Sequence, residues 1–443
     1  MKGVRLGKEN DTMLNGLAQR LIPGFIGFCL FLTCNVSRAE APDAKNYTLT
    51  EDQAIALFYQ RNLGLIAAKF NVDQSRAEEI IASAIPNPVF SFYVNELSNQ
   101  MSKDSASRFL PAILPMIQQL IETAGKRGLR MEGAELGTEA MEYDLMDVTR
   151  VLTNAVRHSF YGLLLAQKSL DVARDNLERY RQIMEANAIR LKVGDISETD
   201  YTRIEVESYK AQADLDRAQT ALQQARTDLL LLLGWPENSL NLTATDAWPQ
   251  AKLSEAATKE DSLTQKALAK RPDFRAAKIR INQAEKFLEL ARRLVYPDVT
   301  VIGSYARDPG NQFTNTGQVG ISLPLPIFYR QEGEIAKAGV AMSNAELNLR
   351  QTEQNIKADV IKALSAWKSA DAITRRYQQS VLERIEKLRS AQEFAYQKGA
   401  AGLLDLIDAE RNYKAMMLDY YTALATRSNA WADLLMAMGE ETK

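Results

Sequence analysis

Asp405 and Asp408 stand three residues apart at the start of a helical pattern, so they share one face. Two carboxylates placed this way serve either as helix-start charges that complement the dipole or, repeated around a symmetry axis, as an acidic ring that attracts cations. Little else in the chain offers chemistry. His158, the only histidine, sits between Arg157 and Ser159 on a long helical stretch, where a solvated or interface role is expected. The two cysteines, Cys29 and Cys34, both lie in an N-terminal apolar run. The rest of the chain therefore has no thiol nucleophile, disulfide, thiolate zinc site or iron–sulfur cluster. No glycine-rich phosphate loop, nucleophile elbow or zinc-protease string occurs. A net charge of −2 over 443 residues, with no basic block, argues against nucleic acid. The expectation is no cofactor, no metal site and no enzymatic activity.

The elements that would position Asp405 and Asp408 are long and few. Helical patterns run from about Lys126 to Lys192 and from about Glu332 to Lys398, each long enough to reach about 100 Å. They reverse at Gly194 and Gly399. The returning stretch carries a seven-residue repeat through Ile204, Ala211, Leu215, Ala218, Leu222, Ala225, Leu229 and Leu232, with Ser208 its one polar member. The outgoing stretch carries Leu170, Ala173, Leu177, Tyr180, Met184 and Leu191. Gly234, Trp235 and Pro236 stop the return helix. Tyr180, Tyr396, Tyr413 and Tyr420 fit seam packing, as do Met416, Met417, Met436 and Met438.

The chain reads as two copies of one unit. Ala67, Gln74 and Pro88 meet Ala276, Gln283 and Pro297 at an offset of 209. Further along, Gly128, Gly194, Asp200, Glu205 and Gly234 meet Gly333, Gly399, Asp405, Glu410 and Gly439 at 205. Each copy opens with a helix, from about Thr50 to Ala84 and from about Ser262 to Val295, ending before Pro88 and Pro297. Strand patterns follow. Phe90, Phe92 and Val94 alternate with polar residues, as do Val299 and Val301, and as do Val319, Ile321, Leu323 and Leu325. A polar turn from Asp308 to Gly317 joins the last two strands. The first returning strand, near Met116 to Ile121, is the least regular because Pro111 and Pro115 interrupt it. Domain bounds follow: 1–39 a leader, 40–240 the first repeat, 241–443 the second.

The leader rests on Leu21 to Val36, an apolar run behind Arg20 that is short for a membrane span. Ser37-Arg38-Ala39 fits a secretory cleavage site, with Glu40 the first mature residue and Met13 an alternative start. An uncleaved anchor is the competing reading, and the residues before Cys34 and Cys29 match a lipidation signal poorly.

Four amphipathic strands have the length to cross a membrane but cannot close a barrel, and an open edge cannot sit in lipid. Three copies bring twelve strands, an even number suited to an outer-membrane barrel, whereas two copies make too narrow a tube. The expected architecture is therefore mainly helical with a membrane β-barrel part. Long antiparallel helices stand in two tandem repeats, with four strands per chain and strand–helix junctions at Pro88 and Pro297.

These residues resemble the TolC-like outer-membrane efflux proteins over nearly all of the mature sequence. The resemblance is carried by the tandem repeat, the helix ends Ala82–Pro88 and Ala291–Pro297, and the turns. Lys398-Gly399-Ala400-Ala401-Gly402-Leu403-Leu404-Asp405-Leu406-Ile407-Asp408-Ala409 is similar to the family's tip segment, and Gly194 to Asp200 is a second version of it. Pro324-Leu325-Pro326-Ile327-Phe328, followed by Gln331-Glu332-Gly333-Glu334-Ile335, is similar to the branch serving cobalt–zinc–cadmium or copper efflux, as is the looser match Glu122 to Arg127. The resemblance implies a homotrimer in outer-membrane lipid. Its periplasmic tip turns (Gly194, Asp195, Asp200, Gly399, Gly402, Leu404) would dock an adaptor of the membrane-fusion class and, through it, an inner-membrane pump. Asp405 and Asp408 become the gate. A duct for drugs or secreted polypeptides is the alternative, and a periplasmic coiled-coil adaptor a more distant one, because such an adaptor lacks paired amphipathic hairpins.

Overall fold

A computed structural model of the protein describes residues 46–95, 112–235, 241–245, 248–249, 259–308 and 314–440. The leader, both cysteines, Pro111, Pro236 and the centre of the turn after Asp308 lie outside the described residues.

Apolar spacing and caps set the helix bounds. Strand β1 (Asn46–Leu49) leads into α1 (Glu51–Arg61), whose start is fixed by Thr50 and Gln53 capping each other. The expected single helix from Thr50 to Ala84 is two, because Asn62 interrupts it. Its side chain caps α2 (Leu63–Ser83) by accepting from the Leu65 amide and donates to the Leu232 carbonyl 2.7 Å away. The equivalent helix of the second half is likewise two, α5 (Glu260–Lys270) and α6 (Pro272–Arg293), with Pro272 at the first helical position. Proline inside a helical pattern is a break signal, and Ser262 to Val295 obeyed it. Buried Arg271 seals this second break with Asp273 and Asp359.

Strands β2 (Val89–Asn95), β3 (Ala112–Ile121), β5 (Val299–Asp308) and β6 (Thr314–Ser322) form one antiparallel sheet in the order β2-β3-β5-β6. Strand β3 is longer than its sequence indicated and contains Pro115. That proline lies opposite Phe92 of β2, and the ladder to β5 is interrupted there, resuming at Met116 opposite Ser304, so the missing N–H costs no bond on that side. Strand β6 ends at Ser322, so Leu323 and Leu325 lie beyond it, next to Pro324. Among the described residues the sheet stays open, with β2 and β6 at its edges. Apolar side chains on it stand exposed, among them Phe90, Phe92, Tyr305, Val319 and Ile321.

From the sheet the chain passes into α3 (Lys126–Lys192), which returns as α4 (Glu198–Leu232), and later into α7 (Glu332–Arg376), a π turn at Tyr377–Val381, α8 (Leu382–Gln397) and α9 (Leu403–Met438). The second outgoing rod, expected unbroken, therefore contains a wide turn that the first does not. The seven-residue seam holds: Ile204, Ala211, Leu222 and Leu229 are buried, with Leu215, Ala218, Ala225 and Leu232 packed beside the core.

A feature with no clear sequence signal is the short parallel pairing of β1 with β4 (Asn241–Ala244). These two strands cap a core of Phe58, Val156, Phe160, Leu163, Leu229 and Leu233. A second core gathers Phe274, Ile356, Leu364, Trp367, Leu434 and Met438. No helix among the described residues is long and apolar enough to cross a membrane.

Candidate functional site

The two rod ends meet at one place. At the first turn Gly194 adopts φ 74°, the Asp195 amide donates to the Arg190 carbonyl at 2.9 Å, and Ser197 caps α4 by accepting from the Asp200 amide. At the second, Gly399 adopts φ 76° and the Ala400 amide donates to the Ala395 carbonyl at 2.8 Å. Both are helix stops closed through a left-handed residue, a conformation that glycine takes without steric cost. A Cβ at either glycine would meet nothing within 4 Å, so the backbone angle and not space demands glycine.

Beneath the turns, Ile204, Leu403 and Ile407 are buried together against Ile183, Met184 and Tyr396, which joins the two hairpins. Tyr396 also donates from Oη to Asn187 at 2.5 Å, and the Arg190 guanidinium lies over its ring. The ring is thus a polar tie as well as packing. One step further from the tip, Arg411 of α9 grips Glu207 of α4 at 2.6 Å, and Lys414 pairs with Asp214. The Arg411 hydrogen bonds hold the Glu207 carboxyl below the ordinary carboxylate range, against the opposing effect of burial. Glu410, one residue away and facing inward, behaves oppositely: burial pushes its carboxyl up, and Arg389 and Arg179 draw it only part of the way back.

Asp405 and Asp408 are both exposed, on the same helical turn. Asp405 accepts from the Gly402 amide at 3.0 Å, which makes it a helix-start carboxylate within the single chain. Asp408 lies 3.5 Å from Arg411. Two basic residues near this turn pair with other acids: Arg190 with Asp195 at 2.6 Å and Arg203 with Asp200 at 3.3 Å. The Lys398 ammonium lies over the Phe394 ring. Arg411, which sequence reasoning did not single out, is the basic residue that reaches Asp408. Its signal was its place three residues after Asp408, on the same face. Leu404 is exposed beside this turn, with Gly402 at the start of the helix. His158 is held by Asp433 at 2.8 Å.

At the opposite end lie the strand–helix junctions. Pro88 precedes β2 directly, and Pro297 precedes Asp298 and β5. The segment Glu122 to Arg130 ties both down. Thr123 donates from its amide to Asp298 and from its hydroxyl to the Pro297 carbonyl, each at 2.8 Å. Lys126 reaches Asp298 at 2.8 Å and the Tyr296 carbonyl. Arg127 and Arg130 donate to the Ser83 and Ala82 carbonyls at the end of α2, and Glu122 holds Arg130 by two bonds. Both carbonyls are among the last four of α2, which a helix cannot satisfy by itself.

An uncovered apolar sheet continued into paired helical rods is the build of a channel-forming membrane protein. The chain belongs to the outer membrane efflux protein family, whose model matches residues 54–235 and 263–440. It is similar to the cobalt-zinc-cadmium resistance protein CzcC of Cupriavidus metallidurans, 26% identical over 382 residues that cover 85% of this chain and 86% of that protein. Among solved structures it is similar to the Campylobacter jejuni CmeC outer membrane channel, with a TM-score of 0.75 at 16% identity, covering 88% of this chain and 85% of that one. It is also similar to CusC, with a TM-score of 0.71 at 20% identity, covering 88% and 92%. The protein is an outer-membrane efflux channel component.

Proposed function

We propose that the protein is the outer-membrane duct of a tripartite efflux system for metal cations. Three copies pair β6 of one with β2 of the next and close a twelve-stranded barrel. The helical rods continue its wall through the periplasm, in two tandem repeats divided near residue 240. A membrane-fusion adaptor grips the tip turns at Gly194, Asp195, Asp200, Gly399, Gly402 and Leu404, and an inner-membrane pump supplies the energy. Asp405 and Asp408 form the acidic gate.

The observation that carries this reading is the four-stranded antiparallel sheet, whose edge strands β2 and β6 have no further strand partner among the described residues. Unpaired backbone groups cannot face lipid, so copies of the chain must supply the missing pairs. The cargo is argued from similarity to a cobalt-zinc-cadmium resistance protein over most of both chains. A clean deletion should lower the tolerated concentration of cobalt, zinc and cadmium several-fold, while native mass measurement of the extracted protein should give a trimer. Unchanged metal tolerance with lost tolerance to drugs would favour a drug duct, and a stable monomer would remove the barrel.

A further inference from the structure

We infer that Phe328 of one copy packs against Val89 of the next, so that an apolar seam below the barrel seals the joint between copies. The inference rests on the trimeric reading above. All neighbouring strands in the sheet are antiparallel. If β6 pairs with the next copy's β2, the end of β6 at Ser322 and the beginning of β2 at Val89 fall at the same, helix-side edge of the sheet. The segment after β6 then abuts the segment before β2.

The chain contains its own example of this joint. Strand β3 ends where β5 begins, with Ile121 opposite Val299. Thr123, just past β3, bonds Asp298 and the Pro297 carbonyl just before β5. The corresponding residues of the intermolecular joint can be counted off. Five residues before Gly128 is Thr123, and five before Gly333, its counterpart at the start of the other long helix, is Phe328. The residue after Pro297 is Asp298, and the residue after Pro88 is Val89. A polar pair inside the chain is therefore replaced by an apolar pair at the open edges.

Their exposure fits. The Phe328 side chain is fully exposed at 100%, and Val89 is 57% exposed. Ile327 and Leu325 beside the first, and Ile81 and Ile85 beside the second, are exposed as well. A run of this size left to water on both flanks is unusual unless something covers it. Phe328 lies six residues past Ser322, on the helix side of the strands, and the two flanks differ in chain position as a head-to-tail ring joint requires. Within the chain the polar joint can be fixed by directed bonds as the protein folds. Between copies, apolar burial supplies attraction without demanding that a buried charge find its partner.

The test uses the protein in the outer membrane, extracted in detergent, with Cys29 and Cys34 of the leader region replaced by serine so that the introduced thiols alone react. Val89→Cys and Phe328→Cys are combined and treated with a short bismaleimide. Covalent dimers and trimers on a denaturing gel are expected from the double variant, while each single variant runs as a monomer. Phe328→Asp should shift the native mass distribution toward monomer, and Phe328→Leu should restore the trimer. A trimer that persists in native mass measurement with no cross-linking across the pair would overturn the seam and leave the trimer standing. Strong quenching of Phe328→Trp fluorescence by brominated lipid, with no cross-link, would assign the residue to lipid and also overturn the seam. A native mass showing only monomer for the parent would remove the trimer itself, and the seam with it.

Discussion

The strand–helix junction and the helical tip are both rich in charge, yet they use it in opposite ways. At the junction, Lys126 has 5% of its side chain exposed and is surrounded by acceptors, and Arg127 and Arg130 bond helix-end carbonyls. At the tip, Asp408 keeps 67% of its side chain in solvent, and the ion pairs Arg190–Asp195 and Arg203–Asp200 lie on the surface. Buried pairs are costly to break because the surviving partner is stranded, whereas exposed pairs contribute little to stability. The lesson is that charge at the junction fixes a change of backbone geometry, while charge at the tip is left available to solvent, ions and partners.

The largest effect should come from Asp298→Asn. It removes the carboxylate from Lys126 while the lysine remains enclosed, and it weakens the Thr123 bonds. The expected cost is about 2–3 kcal/mol, read as a lower melting temperature of the extracted protein. A melt unchanged by this substitution would put the junction in the same class as the tip. Next in size is Gly399→Val, with Gly194→Val as its companion. Each forces a β-branched residue into a left-handed turn, at about 1–2 kcal/mol of local strain. The strain should speed hydrogen exchange in the neighbouring turns and abolish metal resistance, with the amount of protein in the outer membrane unchanged. Full resistance in Gly399→Val would count against adaptor docking at the tip.

The tip was more legible in the sequence than the junction, for a physical reason. Gly194 and Gly399 announce their turns because a reversal of two long helices needs a left-handed residue, and α3 begins and ends where its pattern said. Seam spacing similarly picked out the residues that bury α4. The junction depends on contacts between residues about 170 positions apart, such as Thr123 with Asp298, and no local pattern encodes those. The same holds for β1 with β4, four residues each, which acquire strand geometry only by pairing across the molecule. The break at Asn62 was overlooked because an apolar period ran straight through it, and the π turn at Tyr377–Val381 has no residue signature that separates it from ordinary helix. Arg411 was missed as the partner of Asp408 because its reach across to Glu207 belongs to the packing of α9 on α4.

Smaller effects should appear with pH, and two neighbouring acids should show them with opposite sign. Glu207 has its folded-state pKa lowered by Arg411, so it contributes stability above the unfolded carboxylate value. That contribution disappears as pH falls through the lowered value. Glu410 has its folded-state pKa raised by burial, so its ionised form is a burden near neutrality. The burden is relieved as pH falls through the raised value toward the ordinary one. Melting curves between neutral and mildly acidic pH should therefore show Glu410→Gln flattening a rise in stability and Glu207→Gln flattening a loss at lower pH. If both variants shift the curve in the same direction, the contrast between the paired and the merely buried acid fails.

The smallest effect on stability, and the most informative about function, is expected at Asp405 and Asp408. Asparagine at position 405 can still accept from the Gly402 amide, so the helix start survives, and Asp408 loses only a long, exposed contact with Arg411. The double variant Asp405→Asn, Asp408→Asn should melt within about 0.5 kcal/mol of the parent. Its electrical behaviour should change much more. In a threefold assembly the two positions present up to six carboxylates, which repel one another and attract cations into a narrow opening. In planar bilayers the parent should conduct weakly, prefer cations and be blocked by divalent or trivalent cations added from the tip side. The double variant should lose that block and part of the cation preference. Equal block in both proteins would return Asp405 and Asp408 to the role seen in the single chain, helix-start carboxylates at an exposed turn.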